Sequence, residues 1–89
     1  MTHPASAKIT AFFNDHGDRF AQLAFRWLDE HEYENIDEYR KVLEPLAVSK
    51  DIHIDRMTKR PFGFFATCEN TKFKIVCTAR GRLTADFVR

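Results

Sequence analysis

Arg56, Lys59, Arg60, Arg80 and Arg82 are the residues in this chain best equipped for chemistry, and that chemistry is the capture of anions. Guanidinium and ammonium groups hold phosphate oxygens through charge and directed N–H bonds, with little dependence on base sequence. The distribution of charge directs attention to them. Residues 1–49 hold five Lys or Arg against nine Asp or Glu, a net −4, while residues 50–89 hold nine against four, a net +5, within a chain whose total is only +1. An anionic partner is expected to meet the C-terminal half. A polycation or an acidic nucleic-acid mimic is excluded by the same total.

Other reactive side chains are less well arranged. Glu30, Glu32 and Glu34 surround His31 in an acidic connection that suits a basic protein partner, but no second histidine stands three or four residues away to complete a metal pair. His3, His16, His31 and His53 are scattered, and the only glycines are Gly17, Gly63 and Gly81, so no glycine-rich phosphate cradle can form. Neither catalytic, metal nor cofactor-binding residues are expected, and the chain reads as a non-enzyme. Cys68 and Cys77 lack Cys-x-x-Cys spacing and fall on core positions of the strands below, which makes them buried free thiols.

One string has a known counterpart. Arg60-Pro61-Phe62-Gly63-Phe64-Phe65-Ala66-Thr67 resembles the RNP1 octet of RNA-recognition and cold-shock domains, where basic and aromatic side chains alternate along a strand. Pro61 and Thr67 stand where that pattern has glycine and an aromatic. The resemblance spans eight residues and implies that Phe62 and Phe64 face solvent and stack on bases. Strand alignment, argued below, turns the same two rings inward.

These residues need elements to position them. Ile9, Phe12 and Phe13 recur at helical spacing after a Ser6 cap, and Asn14-Asp15-His16-Gly17 reads as a stop. Asp18 then caps a second helix with an apolar stripe of Phe20, Leu23, Ala24, Trp27 and Leu28. Asn35, supported by Glu38, caps a third with Ile36, Tyr39, Val42, Leu43 and Leu46 on its face and Pro45 inclined to end it. From Asp51 the period becomes two, giving strands at Asp51–Met57, Phe62–Cys68, Lys72–Thr78 and Arg82–Val88. The expected fold is a single two-layer α+β domain over residues 1–89, with about three helices packed on a four-stranded antiparallel meander.

Register decides what faces where. A two-residue turn at Asn70-Thr71 sets Cys68 opposite Phe73, Ala66 opposite Ile75 and Phe64 opposite Cys77, whereas a three-residue loop at Glu69–Thr71 would bring Phe64 beside Val76. A three-residue loop at Ala79-Arg80-Gly81, with Gly81 in the left-handed region, pairs Cys77 with Leu83, Ile75 with Ala85 and Phe73 with Phe87. The first two alignments that agree make one apolar face, joined by Ile52 and Ile54. On the outer face they set Lys74 opposite Asp86 and Phe65 opposite Val76, an apolar pair suited to a protein partner or a homodimer contact.

In a meander the first and third connections share one end, so Arg56, Lys59, Arg60, Arg80 and Arg82 should form a basic rim. The N-terminus, Met1 to Ala7, shows no secretory pattern and no apolar run reaches membrane-spanning length, so the expected location is the cytoplasm, without membrane contact. The function expected is a small binding module that engages nucleic-acid phosphates through the rim. The alternative is a protein-interaction module, such as a small inhibitor or adaptor of phage, plasmid or gene-cassette type, using the acidic connection or Phe65 and Val76.

Overall fold

The computed structural model describes residues 4–30 and 35–88. Two helices, α1 (Pro4–Glu30) and α2 (Ile36–Val48), precede four strands, β1 (His53–Lys59), β2 (Phe62–Cys68), β3 (Thr71–Cys77) and β4 (Leu83–Phe87). The strands form one antiparallel sheet in the order β1-β2-β3-β4. Helix α2 lies against β1, and α1 runs across β2, β3 and β4. Among the described residues no helix is long and apolar enough to cross a membrane.

The helical layer holds two helices rather than about three, because the expected stop at Asn14–Gly17 does not stop anything. The stripes on either side of it are in phase. Ile9, Phe12, Phe20, Leu23, Ala24 and Trp27 all come to the buried side when the helix simply continues, and a break would forfeit that burial to relieve a glycine cost of about 1 kcal/mol. Gly17 is buried and marks a close approach: a Cβ there would lie 3.0 Å from Leu83 Cδ1. Ser6 and Asp18 accordingly lie inside α1 and cap nothing. Leu28, expected on the buried stripe, is 46% exposed, and Val42 of α2 is also exposed.

Asn35 does cap α2, its side chain accepting from the Asp37 backbone N–H at 3.0 Å. Pro45 does not end it. The ring sits on the exposed side and α2 continues to Val48, since Leu43 and Ala47 on the opposite side are fully buried and hold the last turn in place. Arg40 on the flank of α2 donates to the carbonyls of Ile54 (2.9 Å) and Asp55 (3.4 Å) at the outer edge of β1.

An aromatic chain joins the layers. Phe12 meets Phe64 edge-on, Phe20 sits against both Phe64 and Phe62, and Tyr39 meets Phe62 and Trp27, with ring centroids 5.4–6.1 Å apart. Such edge-to-face contacts each add about 1 kcal/mol beyond the area buried. The Trp27 indole N–H donates to the Lys59 carbonyl at 3.0 Å, fixing the C-terminal end of α1 to the end of β1. At the other end Lys8 bridges Asp51 (2.7 Å) and Glu69, and Lys50 pairs with Asp15.

The β3–β4 register is as expected, with Phe73, Ile75 and Cys77 opposite Phe87, Ala85 and Leu83, and Gly81 at φ 84°. The β2–β3 register is displaced by two: Cys68 faces Thr71, Ala66 faces Phe73, Phe64 faces Ile75 and Phe62 faces Cys77. The turn residues are Glu69 and Asn70, at φ 52° and 59°, not Asn70 and Thr71. A two-residue turn of this kind needs both central residues at positive φ, which β-branched Thr71 resists and Asn70 tolerates. A slip of two preserves every face, so Phe62, Phe64, Ala66, Cys68, Phe73, Ile75 and Cys77 are all buried. The outer pairs do change: Phe65 faces Lys74, and Val76 faces Gly63.

That last pairing leaves no space. A Cβ on Gly63 would lie 2.1 Å from the Ile75 carbonyl oxygen and 2.7 Å from Val76 Cα, both backbone atoms. Gly63→Ala should therefore cost about 3 kcal/mol or more in urea unfolding, whereas Gly17→Ala, which meets only a movable Leu83 methyl and gains helix propensity, should lie within about 1 kcal/mol of the parent. Equal losses would contradict the packing described. Hydrogen bonding and charge from Lys8 hold Asp51, and from Lys50 hold Asp15, below the ordinary carboxylate range. Their contribution is fully present above the unfolded pKa of about 4 and is lost as pH falls through the lowered folded values. Lys8→Met should flatten the acid side of the stability–pH curve, measured by denaturant unfolding between about pH 3 and pH 6.

Candidate functional site

Both helices pack on the face of the sheet that carries Phe62, Phe64, Phe73 and Ile75, and no described element covers the other face. Along that open face run His53, Arg56 and Thr58 of β1, Gly63, Phe65 and Thr67 of β2, Lys72, Lys74 and Val76 of β3, and Thr84 and Asp86 of β4. Arg56 belongs here only because of a β-bulge. Strict alternation from Ile52 and Ile54 would turn it into the core, but the register shifts between Ile54 and Arg56, leaving Asp55 as the extra residue and setting Arg56 opposite Phe65. The Asp55 carboxylate then accepts from the Thr67 hydroxyl at 2.7 Å.

Phe65 is flanked by two cations: the Arg56 guanidinium carbon lies 4.3 Å and the Lys74 ammonium 5.4 Å from its ring centre. The ring is half-covered by these side chains. Val76 is buried, at 8% exposure, beside the bare Gly63. The expected apolar Phe65–Val76 pair on the outer face is thus corrected twice, in its pairing and in its accessibility. Lys74 faces Asp86 as expected.

Lys59, Arg60, Arg80 and Arg82 come to one end of the sheet but not to one face, whereas Arg56, expected on the same rim, sits mid-strand opposite Phe65. Arg60, at the β1–β2 connection, and Arg80, in the β3–β4 loop, are exposed on the two bends. Arg56 and, by its pairing with Thr78, Arg82 lie on the open-face side. Lys59 lies toward the helical side, where with Arg60, Leu28 and Ala79 it borders a cleft of about 150 Å³. Among the described residues, Lys59, Arg80 and Arg82 have no carboxylate partner, while Lys8, Arg40, Lys41 and Lys50 each pair with one. The β3–β4 loop is pinned by the Thr78 hydroxyl accepting from the Arg82 N–H at 3.1 Å and by Phe25 of α1, whose ring lies over Gly81.

Phe62 and Phe64, which the RNP1 resemblance would have facing solvent, are 3% and 0% exposed. Glu32 and Glu34 of the acidic connection lie outside the described residues, and of Glu30 only its place as the last residue of α1 is described. Among the described residues no three His, Cys, Asp or Glu side chains converge as metal ligands. What sequence reasoning missed is Phe65 as a ring held between two cations, because the bulge that brings Arg56 to it has no signature in residue types. Compared with protein-family models, with characterised proteins and with solved structures, the chain matches none.

Cys68 and Cys77 are free and buried, and desolvation pushes both thiols up. A thiol reagent at neutral pH should label neither at an appreciable rate until denaturant unfolds the chain. Fast labelling of either in the native protein would contradict its burial.

Proposed function

We propose that this protein is a non-catalytic binding module that engages the phosphate backbone of nucleic acid through Arg60 and Arg80, with Arg56, Lys59 and Arg82 around them. The observation that supports this reading is charge without a carboxylate partner gathered at one end: among the described residues Lys59, Arg80 and Arg82 have none, whereas Lys8, Arg40, Lys41 and Lys50 are each paired. Arg60 and Arg80 are exposed on two bends, a form suited to a curved, repeating line of phosphates rather than to base edges. Phe65 lies between cations and offers no bare stacking platform, so little discrimination between sequences is expected.

Binding of this kind is driven by counterion release and weakens steeply with salt. Fluorescence anisotropy with labelled duplex and single-stranded oligonucleotides should give a negative slope of log affinity against log salt. Arg60→Glu with Arg80→Glu should reduce affinity at least about tenfold for every sequence and make that slope shallower by about 2. Unchanged affinity in the double variant would dismiss the site.

A further inference from the structure

The sheet has two edges, and they are treated differently. The outer edge of β1 is occupied by Arg40, which donates to the Ile54 and Asp55 carbonyls. On β4, the bonds from Val88 N–H to the Lys72 carbonyl and from Thr78 N–H to the Arg82 carbonyl show that even-numbered residues turn their backbone toward β3. The N–H and C=O groups of Leu83 and Ala85 therefore point away from the sheet, and no other described strand pairs with them. Their side chains lie on the helical side, below an apolar flank of α1 formed by Phe13, Gly17, Ala21 and Phe25. Phe25 and Phe87 are 43% and 47% exposed.

We propose that a second copy of this chain adds antiparallel to the outer edge of β4, with Thr84 on the two-fold axis, so that the two sheets join into one of eight strands. The register follows from three features of this edge. Outward-pointing Leu83 and Ala85 of one copy then bond to Ala85 and Leu83 of the other, as an antiparallel ladder requires. On the open face, Arg82 of each copy stands opposite Asp86 of the other, two ion pairs generated by one symmetry axis. On the helical side, Phe87 of each copy comes level with Gly81 of the other, which has no side chain and over which the half-exposed Phe25 ring already lies. Moving the alignment by two residues either way keeps the backbone bonds but sets Arg82 opposite residue 84 or 88 and separates Phe87 from Phe25.

Asp86 then lies between Lys74 of its own chain and Arg82 of the other copy, so positive and negative charge alternate across the joint. Arg82 is drawn into this joint in the dimer, while Lys59, Arg60 and Arg80 stay outside it, and the two arginine-bearing ends point in opposite directions.

Analytical ultracentrifugation of the full chain should show a concentration-dependent dimer. Ala85→Pro removes an N–H that the monomer does not use and should leave a folded monomer, checked by circular dichroism. Arg82→Asp and Asp86→Arg should each weaken association roughly tenfold or more, by setting like charges opposite one another twice. The two variants mixed one to one should associate with each other, because the mixed pair restores both attractions. A wild-type chain that stays monomeric at millimolar concentration, or a dimer indifferent to the charge changes, would overturn the proposal. If Ala85→Pro fails to fold, the charge-exchange mixture decides alone.

Discussion

The structure depends on the wedging of Phe20 between Phe62 and Phe64. Those two rings project from one strand at a spacing of two, while Phe20 descends from the middle of α1 into the space between them, and Phe12 and Tyr39 close the row on either side. An arrangement of this kind fixes three things together: the direction of α1 across the sheet, the face of β2 that is core, and the height at which α2 meets β1. Packing at interior density permits none of them to drift independently. It also determines the surface, because a strand whose even-numbered residues are committed inward must present Gly63, Phe65 and Thr67 outward.

Most of the architecture was legible because residue periodicity reports burial directly. The change from helical to alternating spacing near Asp51, the cap at Asn35 and the αL glycine at Gly81 each correspond to a local physical requirement visible in residue types. What was not legible was decided by competition between local and distant terms. Gly17 has the character of a terminator, yet burial of Phe12 and Phe20 on one line outweighs it. Pro45 removes one hydrogen bond and is carried by Leu43 and Ala47. The turn at Glu69-Asn70 displaces the expected pairing by two because Thr71 resists positive φ, and the faces survive only because the displacement is even.

The candidate site was legible to a different degree. That Lys59, Arg60, Arg80 and Arg82 share one end follows from connection lengths, which short antiparallel turns make nearly obligatory, while Arg56 lies mid-strand. Their distribution over two faces and two bends follows from the bulge at Asp55 and from loop geometry, neither of which residue types disclose. Charge is also unevenly matched: among the described residues Lys8 and Lys50, and Arg40 and Lys41 along α2, are tied to carboxylates, while Lys59, Arg80 and Arg82 are not. The Lys8 and Lys50 pairs fasten α1 to the segments that follow α2 and β2, whereas the pairs of Arg40 and Lys41 lie within α2 itself.

The Arg40 guanidinium seated on the carbonyls of Ile54 and Asp55 bears on how large any assembly of this chain can grow. A sheet with two vacant margins can propagate from molecule to molecule and become a fibre, whereas one with a stoppered margin runs out of acceptors after a single joining. The bulge adds to this by skewing the strand direction where a newcomer would have to lie flat. Were copies to join at β4, an arginine on a neighbouring helix would serve as the end-stop at β1, and growth would halt at a finite particle.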